Sequence, residues 1–275
     1  MSALLAACAS SATPSAPTPT HADSSSKEDE GSTEGPIPEF EFQGATAIIP
    51  NGEPDHWTGK YMNPGGIVRH EELFHMFVNA FHDWPGTVSI GFYISPDGYT
   101  WERAQDEPIF TSDNIPFVKP GQGADVSSAL VMPDGTWVLY FHIVGSNAAG
   151  IGRAIAPSPE GPWSFDETPV LTPGAEGEWD ARAVSWPNVI ATDDGVCNVL
   201  FGFRQFWGPG NWSATSPDGI IWTKYNDPGT SEPPFAESDP VIIGSGSWDL
   251  SKADRPRSCS YERRVGNDLH RQYPE

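Results

Sequence analysis

The chain has 275 residues, of which 37% are hydrophobic and 12% aromatic, enough to fill a sizeable core. Its formal net charge of −22 argues against binding to nucleic acid or to an anionic membrane surface, because both need clustered Lys and Arg. Glycine and proline, at 28 residues each, predict a chain rich in turns. Neutral and cationic partners stay open.

The first eight residues, MSALLAAC, end in a Leu-Ala-Ala-Cys sequence that is typical of a bacterial lipobox. Such a cysteine is lipidated after the leader is cleaved, which anchors a protein outside the cytoplasm. Residues 9–38, rich in Ser, Thr and Pro and then acidic, suit a disordered linker. We therefore predict that residues 1–8 are a signal remnant and that Cys8 is the lipidation site. The protein is then lipid-anchored at the bacterial cell envelope or secreted, and the anchor is its only membrane contact. An Ala-rich disordered end is the alternative.

A short phrase then recurs three times along the chain, as SPDGYTW (95–101), SPEGPW (158–163) and SPDGIIW (216–222). Before each phrase the sequence predicts two strands joined by a tight turn, then a variable loop and a third strand, and a short fourth strand begins at the Trp. Four antiparallel strands repeating at about sixty residues are typical of a β-propeller blade. We interpret the phrase as a hairpin turn whose Asp-Gly takes the positive dihedrals. It is then scaffold rather than a catalytic or metal-binding motif.

These turns are followed by PIF and PVL segments. In this combination the sequence resembles the five-bladed propellers of glycoside hydrolase family 43 and the related family 32 fructosidases. The resemblance covers about residues 40–256 and implies an all-β fold of four-stranded antiparallel blades. At about sixty residues a blade, residues 39–257 supply only three to three and a half of the five blades. SWDLSKADRPR (247–257) matches EWDARAVSWPN (178–188) and should open another blade. Residues 258–275 carry no strand pattern, and we predict a frameshifted or truncated end there.

In such a propeller the starts of the inner strands and the loops between strands two and three share one face, where side chains from different blades meet. The inner-strand starts are Asn63-Pro64, Asp125-Val126, Trp186-Pro187 and Arg255-Pro256, the last preceded by Asp254. The loops add His82, Asp83, Trp84, His142, Gln205, Phe206 and Trp207. Aromatic faces stack on sugar rings, and carboxylates, Asn and Arg bind hydroxyls. This face therefore predicts a neutral oligo- or polysaccharide as the partner.

Glycosidic hydrolysis needs two carboxyl groups, one of which protonates the leaving oxygen. The resemblance implies an Asp on the first blade's inner strand, a Glu near the third blade's, and a second-blade Asp that tunes the acid. Only Asp125 matches this pattern, because Asn63 and Ser185-Trp186 stand where the first Asp and the Glu are expected. The predicted catalytic residues are Asp125 and Asp254. The predicted sugar-binding residues are Asn63, Trp84, His142, Trp186, Trp207 and Arg255.

Each candidate has a structural alternative. Asp125 could cap a strand start, Asp254 could pair with a neighbouring Arg, and Trp186 or His142 could be satisfied core residues. Two main functions stay open: an exported glycosidase of family-43-like fold, and a non-catalytic carbohydrate-binding propeller, which the replaced carboxylates favour. A protein-interaction platform is a weaker third. No cofactor or metal is expected, since the sequence has no metal-ligand spacing of Cys or His and no phosphate-binding glycine loop.

Overall fold

The computed structural model describes residues 47–83, 86–145, 150–192, 195–202 and 210–243. The predictions for Cys8, Trp84, Trp207, Asp254 and Arg255 lie outside these residues, as do those for segments 1–38 and 258–275. Within the described part of the chain, no helix has the length and apolar character needed to cross a lipid bilayer.

The described chain folds into three antiparallel sheets, each built on four strands that pair in the order of the sequence. The first blade contains β1 (Tyr61–His70), β2 (Leu73–Phe81), β3 (Ser89–Ser95) and β4 (Glu102–Arg103), with β5 (Phe110–Thr111) paired to β3. The second contains β6 (Gln122–Val131), β7 (Trp137–Gly145), β8 (Ile151–Ala156) and β9 (Ser164–Phe165). The third contains β10 (Ser185–Thr192), β11 (Gly195–Gly202), β12 (Gly210–Ser216) and β13 (Thr223–Lys224), with β14 (Ile242–Ile243) paired to β12. This is the strand order predicted for three propeller blades.

The inner strands β1, β6 and β10 lie beside one another, with β6 in the middle. Apolar side chains that alternate along the strands fill the spaces between neighbouring blades. One core cluster joins the first and second blades and includes Phe77, Ile90, Leu139 and Phe141. Another joins the second and third blades and includes Tyr140, Ile151 and Val189. Burial of this apolar surface holds the blades together.

Each inner strand is interrupted by a β-bulge near its start. The pairing register shifts between Pro64 and Ile67 in β1, between Val126 and Ser128 in β6, and between Ser185 and Asn188 in β10. A bulge bends its strand and turns a side chain in a new direction. The three bulges fall at the inner-strand starts that the sequence marks as candidate site positions.

The repeated phrase forms the hairpin turn between the third and fourth strands. In the first blade, Ser95 Oγ accepts a hydrogen bond from the Gly98 N–H at 2.8 Å. Asp97 Oδ1 accepts from the N–H groups of Tyr99 and Thr100 at 2.8 and 2.7 Å, and these bonds lower the pKa of Asp97 to about 2. The positive dihedral falls on the glycine, where φ is +76°, and not on the aspartate. The Ser and Asp side chains of the phrase thus accept hydrogen bonds from the backbone N–H groups of the same turn.

The third blade repeats this turn with Ser216, Asp218 and Gly219 in the same roles. Trp222 Nε1 donates to the Gly219 carbonyl at 3.2 Å, as Trp101 Nε1 donates to the Gly98 carbonyl at 2.9 Å. The recurrence of the same bonds in two blades supports the reading of the phrase as scaffold.

Candidate functional site

The three inner strands border an open groove with a cavity volume of about 720 Å³. Its walls are residues 63–69 of β1, 125–130 of β6 and 186–190 of β10. The groove therefore brings together three predicted site residues, Asn63, Asp125 and Trp186, one from each blade. Asn63 and Asp125 lie one residue before the bulges of their strands, and Trp186 lies within the bulge of its strand.

Asn63 and Asp125 are within reach of each other across the junction of the first two blades. Asn63 Nδ2 donates to Asp125 Oδ2 at 3.5 Å, a long hydrogen bond. Asn63 Oδ1 is buried and has no hydrogen-bond partner in the described structure. A buried acceptor without a partner is uncommon in folded proteins. Asn63 itself borders the groove, and a rotation of its amide would bring this acceptor to a hydroxyl donor of a ligand.

His142 lies within β7, where it is the cross-strand partner of Asp125, and not in the loop where the sequence analysis put it. Its side chain is 2% exposed, and its Nδ1 is 3.2 Å from Ser127 Oγ. Burial lowers the pKa of His142 to about 3, so the imidazole is neutral near pH 7. The ring centroid is 5.2 Å from that of Trp186. His142 therefore supports Trp186 from within the fold, and a direct contact with sugar stays a prediction.

Trp186 has an unusual backbone conformation, with φ at +48°. The left-handed region is uncommon for residues other than glycine, and a following proline further restricts the residue before it to extended conformations. Strain of this kind is found most often at functional sites. The side chain is 41% exposed although the residue borders the groove. The bulge and the unusual dihedral together leave part of an indole available to a ligand.

Two buried polar residues that the sequence analysis missed connect neighbouring blades. The Asn79 amide on β2 donates to the Val126 carbonyl at 2.9 Å and accepts from the Val126 N–H at 2.8 Å. Ser128 Oγ bonds the N–H and carbonyl of Val189 in the third blade at 3.0 and 3.3 Å. The available signal was a polar residue inside an apolar strand, as in LFHMFVNAF. Such residues are buried only when hydrogen-bonded.

Carboxylates are scarce in the groove. Asp125 is the one carboxylate among the described residues of its walls. The other residue of the pair that the resemblance marks near it, Asn63, carries an amide, which cannot act as a catalytic acid or base. Across the residues with described placement, no group of three or more His, Cys, Asp or Glu side chains could hold a metal ion.

Carboxylates outside the groove make structural contacts. Glu178 Oε2 accepts a hydrogen bond from the Glu237 N–H at 3.1 Å, and Asp180 forms a buried ion pair with Lys224. These contacts tie the segment that precedes the third blade to β13 and to the loop that follows it. The polar and aromatic candidates Asn63, Asp125 and Trp186 meet in the groove instead.

No family model matches the sequence, and no curated protein matches it. Solved structures do match. Zg3597, a family 117 glycoside hydrolase of the marine bacterium Zobellia galactanivorans, is 16% identical with a TM-score of 0.52, over 66% of this chain and 59% of its own. A structure described under the GH130 family of mannoside phosphorylases, which contains hydrolases that target β-1,2 mannosidic linkages in Candida mannan, is 19% identical with a TM-score of 0.50, over 70% and 61%.

The chain thus spans about three fifths of the length of these two structures, 59% and 61%. At such identities the likeness concerns the fold alone. It agrees with the three described sheets, and the predicted all-β propeller fold is confirmed. The chain has the fold of propeller glycoside hydrolases.

Proposed function

We propose that the groove binds a neutral oligo- or polysaccharide and that this chain is a carbohydrate-binding, glycosidase-like propeller. The observation that carries the proposal is the meeting of the Asn63 amide, the Asp125 carboxylate and a partly exposed Trp186 in the walls of one groove. Amides and carboxylates bind sugar hydroxyls, and an indole face covers the C–H face of a sugar ring. An open groove accommodates a chain of sugars better than a closed cavity does.

Hydrolysis is the second candidate function, and Asp125 favours it. The resemblance to family 43 assigns an Asp at this position the role of tuning the catalytic acid. A second and third carboxyl group are then needed, and Asp254 is the candidate that the sequence offers. Without them, the groove holds sugar and does not cleave it. The single carboxylate of the described walls makes binding the better supported of the two functions.

We also propose that the protein acts outside the cytoplasm, anchored through lipid on Cys8 or secreted. The Leu-Ala-Ala-Cys sequence and the Ser, Thr and Pro content of residues 9–26 support this. Metabolic labelling with a palmitate analogue, compared between the wild type and Cys8→Ala, tests it. A shifted reading frame over residues 258–275 is likewise a proposal, and re-sequencing across codon 257 tests it.

Tryptophan fluorescence of the full chain, titrated with a panel of pentose and hexose oligosaccharides, tests the proposed function. We expect a saturable change with at least one sugar class, lost in Trp186→Ala and retained in Tyr99→Ala. Tyr99 is a suitable control because it is an exposed aromatic residue of the hairpin turn, away from the groove walls. A flat titration across the whole panel would contradict the proposal.

Chromatography of the same mixtures after long incubation separates the two functions. Intact oligosaccharide identifies a binding protein. Cleavage that disappears in Asp125→Asn identifies a hydrolase that depends on this carboxylate.

A further inference from the structure

We propose that Asn79 is a positioning residue of the groove, which holds β6 against the first blade so that Asn63 and Asp125 remain a hydrogen-bonded pair. The role in ligand binding rests on the function proposed above. The role in positioning does not, because it concerns the geometry of the protein without ligand.

Among the strands that the structure describes, the inner strand β6 pairs with β7 alone, along one of its edges. Backbone groups on its other edge must find partners elsewhere if they are buried. Asn79, which is 0% exposed, provides these partners for Val126. Its Oδ1 accepts from the Val126 N–H at 2.8 Å, and its Nδ2 donates to the Val126 carbonyl at 2.9 Å. An amide side chain can do this because it carries a donor and an acceptor, as a backbone peptide does. Val126 directly follows Asp125, so these bonds fix the backbone that carries the carboxylate.

Asn79 also lies directly across from Asn63 in the β1–β2 pairing. One residue is therefore joined to both members of the pair, to Asn63 through the strand register and to Asp125 through Val126. The Asn63–Asp125 bond, at 3.5 Å, is at the long limit and would be lost after a small displacement of either strand.

Glycine at position 65 makes this arrangement possible. A Cβ built on Gly65 would lie 2.5 Å from the Val126 carbonyl oxygen and 3.3 Å from Asn79 Nδ2. A side chain there would occupy the space in which the Asn79 amide meets the Val126 backbone. The close approach of β1 to β6 and the reach of Asn79 thus depend on the same missing Cβ.

The test replaces Asn79 by leucine, which has a similar size and no hydrogen-bonding group. Tyr140→Phe is the matched control, because it also removes a buried hydrogen bond between blades, from Tyr140 Oη to the Gly219 carbonyl at 3.0 Å, away from the groove walls. Urea unfolding shows whether the two variants are destabilised to a similar extent. If they are, a difference between the two variants in the Asn63 signal or in sugar affinity cannot be explained by lower stability alone.

The first measurement needs no ligand. The side-chain amide signal of Asn63, identified in a ¹⁵N–¹H spectrum by its loss in Asn63→Asp, reports its bond to Asp125. We expect this signal to move towards that of a solvent-exposed amide in Asn79→Leu and to keep its position in Tyr140→Phe. An unchanged signal in a folded Asn79→Leu protein would overturn the proposal, whether or not any sugar binds.

The second measurement is the affinity for the oligosaccharide that binds the wild type in the fluorescence panel. We expect Asn79→Leu to weaken it on the order of tenfold, since a displacement of under 1 Å disorders a binding constellation, and Tyr140→Phe to change it less than about twofold. Equal affinities for both variants would contradict the role in binding. If Asn79→Leu does not fold, Gly65→Ala, which crowds the same two bonds, takes its place with the same expected results. If the wild type binds no sugar, the proposed function fails, and the Asn63 signal still decides the positioning role.

Discussion

Replacing His142 by asparagine removes a buried titrating group while a polar atom remains near Ser127. Burial lowers the pKa of His142 from 6.5 to about 3 in the folded protein, whereas in the unfolded chain the imidazole titrates near 6.5. The unfolded state therefore binds this proton first as the pH falls. The stability that neutral His142 provides is complete above about pH 6.5 and decreases steadily as the pH falls towards 3.

The size of the effect follows from the two pKa values. Each pH unit between them changes the free energy of unfolding by up to about 1.4 kcal/mol, so a change from pH 7 to pH 5 removes roughly 2 kcal/mol. Urea unfolding of the full chain at both pH values, followed by tryptophan fluorescence, measures this for the wild type and for His142→Asn. His75, whose pKa burial also lowers, contributes to both proteins alike, and its share cancels in the comparison.

We expect the wild type to lose about 2 kcal/mol more than the variant between pH 7 and pH 5. The variant will have a lower absolute stability because it leaves space beneath Trp186, but only the pH dependence tests the reasoning. If the two proteins lose the same free energy within about 0.5 kcal/mol, His142 is not a buried neutral group, and its support of Trp186 must be reconsidered.

Three further substitutions test separate parts of the fold and the groove. Gly66→Ala places a Cβ against the Ala129 amide nitrogen, and we expect urea unfolding to show a loss of about 1–3 kcal/mol; no loss would mean that β1 and β6 are less closely packed. Asp97→Ala should lower the melting temperature at pH 7, because the low pKa of Asp97 reflects backbone bonds that are present above about pH 3.8 and lost as the pH falls through about 2. An equal deficit at pH 7 and pH 2 would contradict that cause. Trp186→Gly should unfold within about 1 kcal/mol of the wild type, since glycine accepts a φ of +48°, yet lose sugar binding; a loss of several kcal/mol would show that Trp186 serves the core.

The blades could be predicted from the sequence because their signals are local. The Ser-Pro-Asp-Gly phrase places a turn within a few residues, and Asp-Gly and the following Trp carry its hydrogen bonds internally. Alternating apolar segments before each phrase fix the strands and their order. From this order, the inner-strand starts at Asn63, Asp125 and Trp186 could be expected at one groove, and all three border it.

The contacts between blades could not be predicted in the same way. Asn79 and Val126 are 47 residues apart, and nothing near either of them in the sequence indicates that they meet. The left-handed backbone of Trp186 was also unexpected, because the proline after it favours an extended conformation and only the surrounding bulge overrides this preference. At Trp186, tertiary packing overrides the local backbone preference. These are also the positions where the groove acquires its specific geometry.

Calorimetric titration of the full chain and of Asn63→Leu with pentose and hexose oligosaccharides tests the central claim, that the groove binds sugar and that the Asn63 amide in its wall contributes a hydrogen bond. The account predicts a saturable heat of binding for the wild type with at least one sugar. It also predicts an affinity about fivefold to tenfold lower for Asn63→Leu, the loss of one hydrogen bond in a desolvated site. An absence of heat with every sugar, or the same affinity for both proteins, would contradict it.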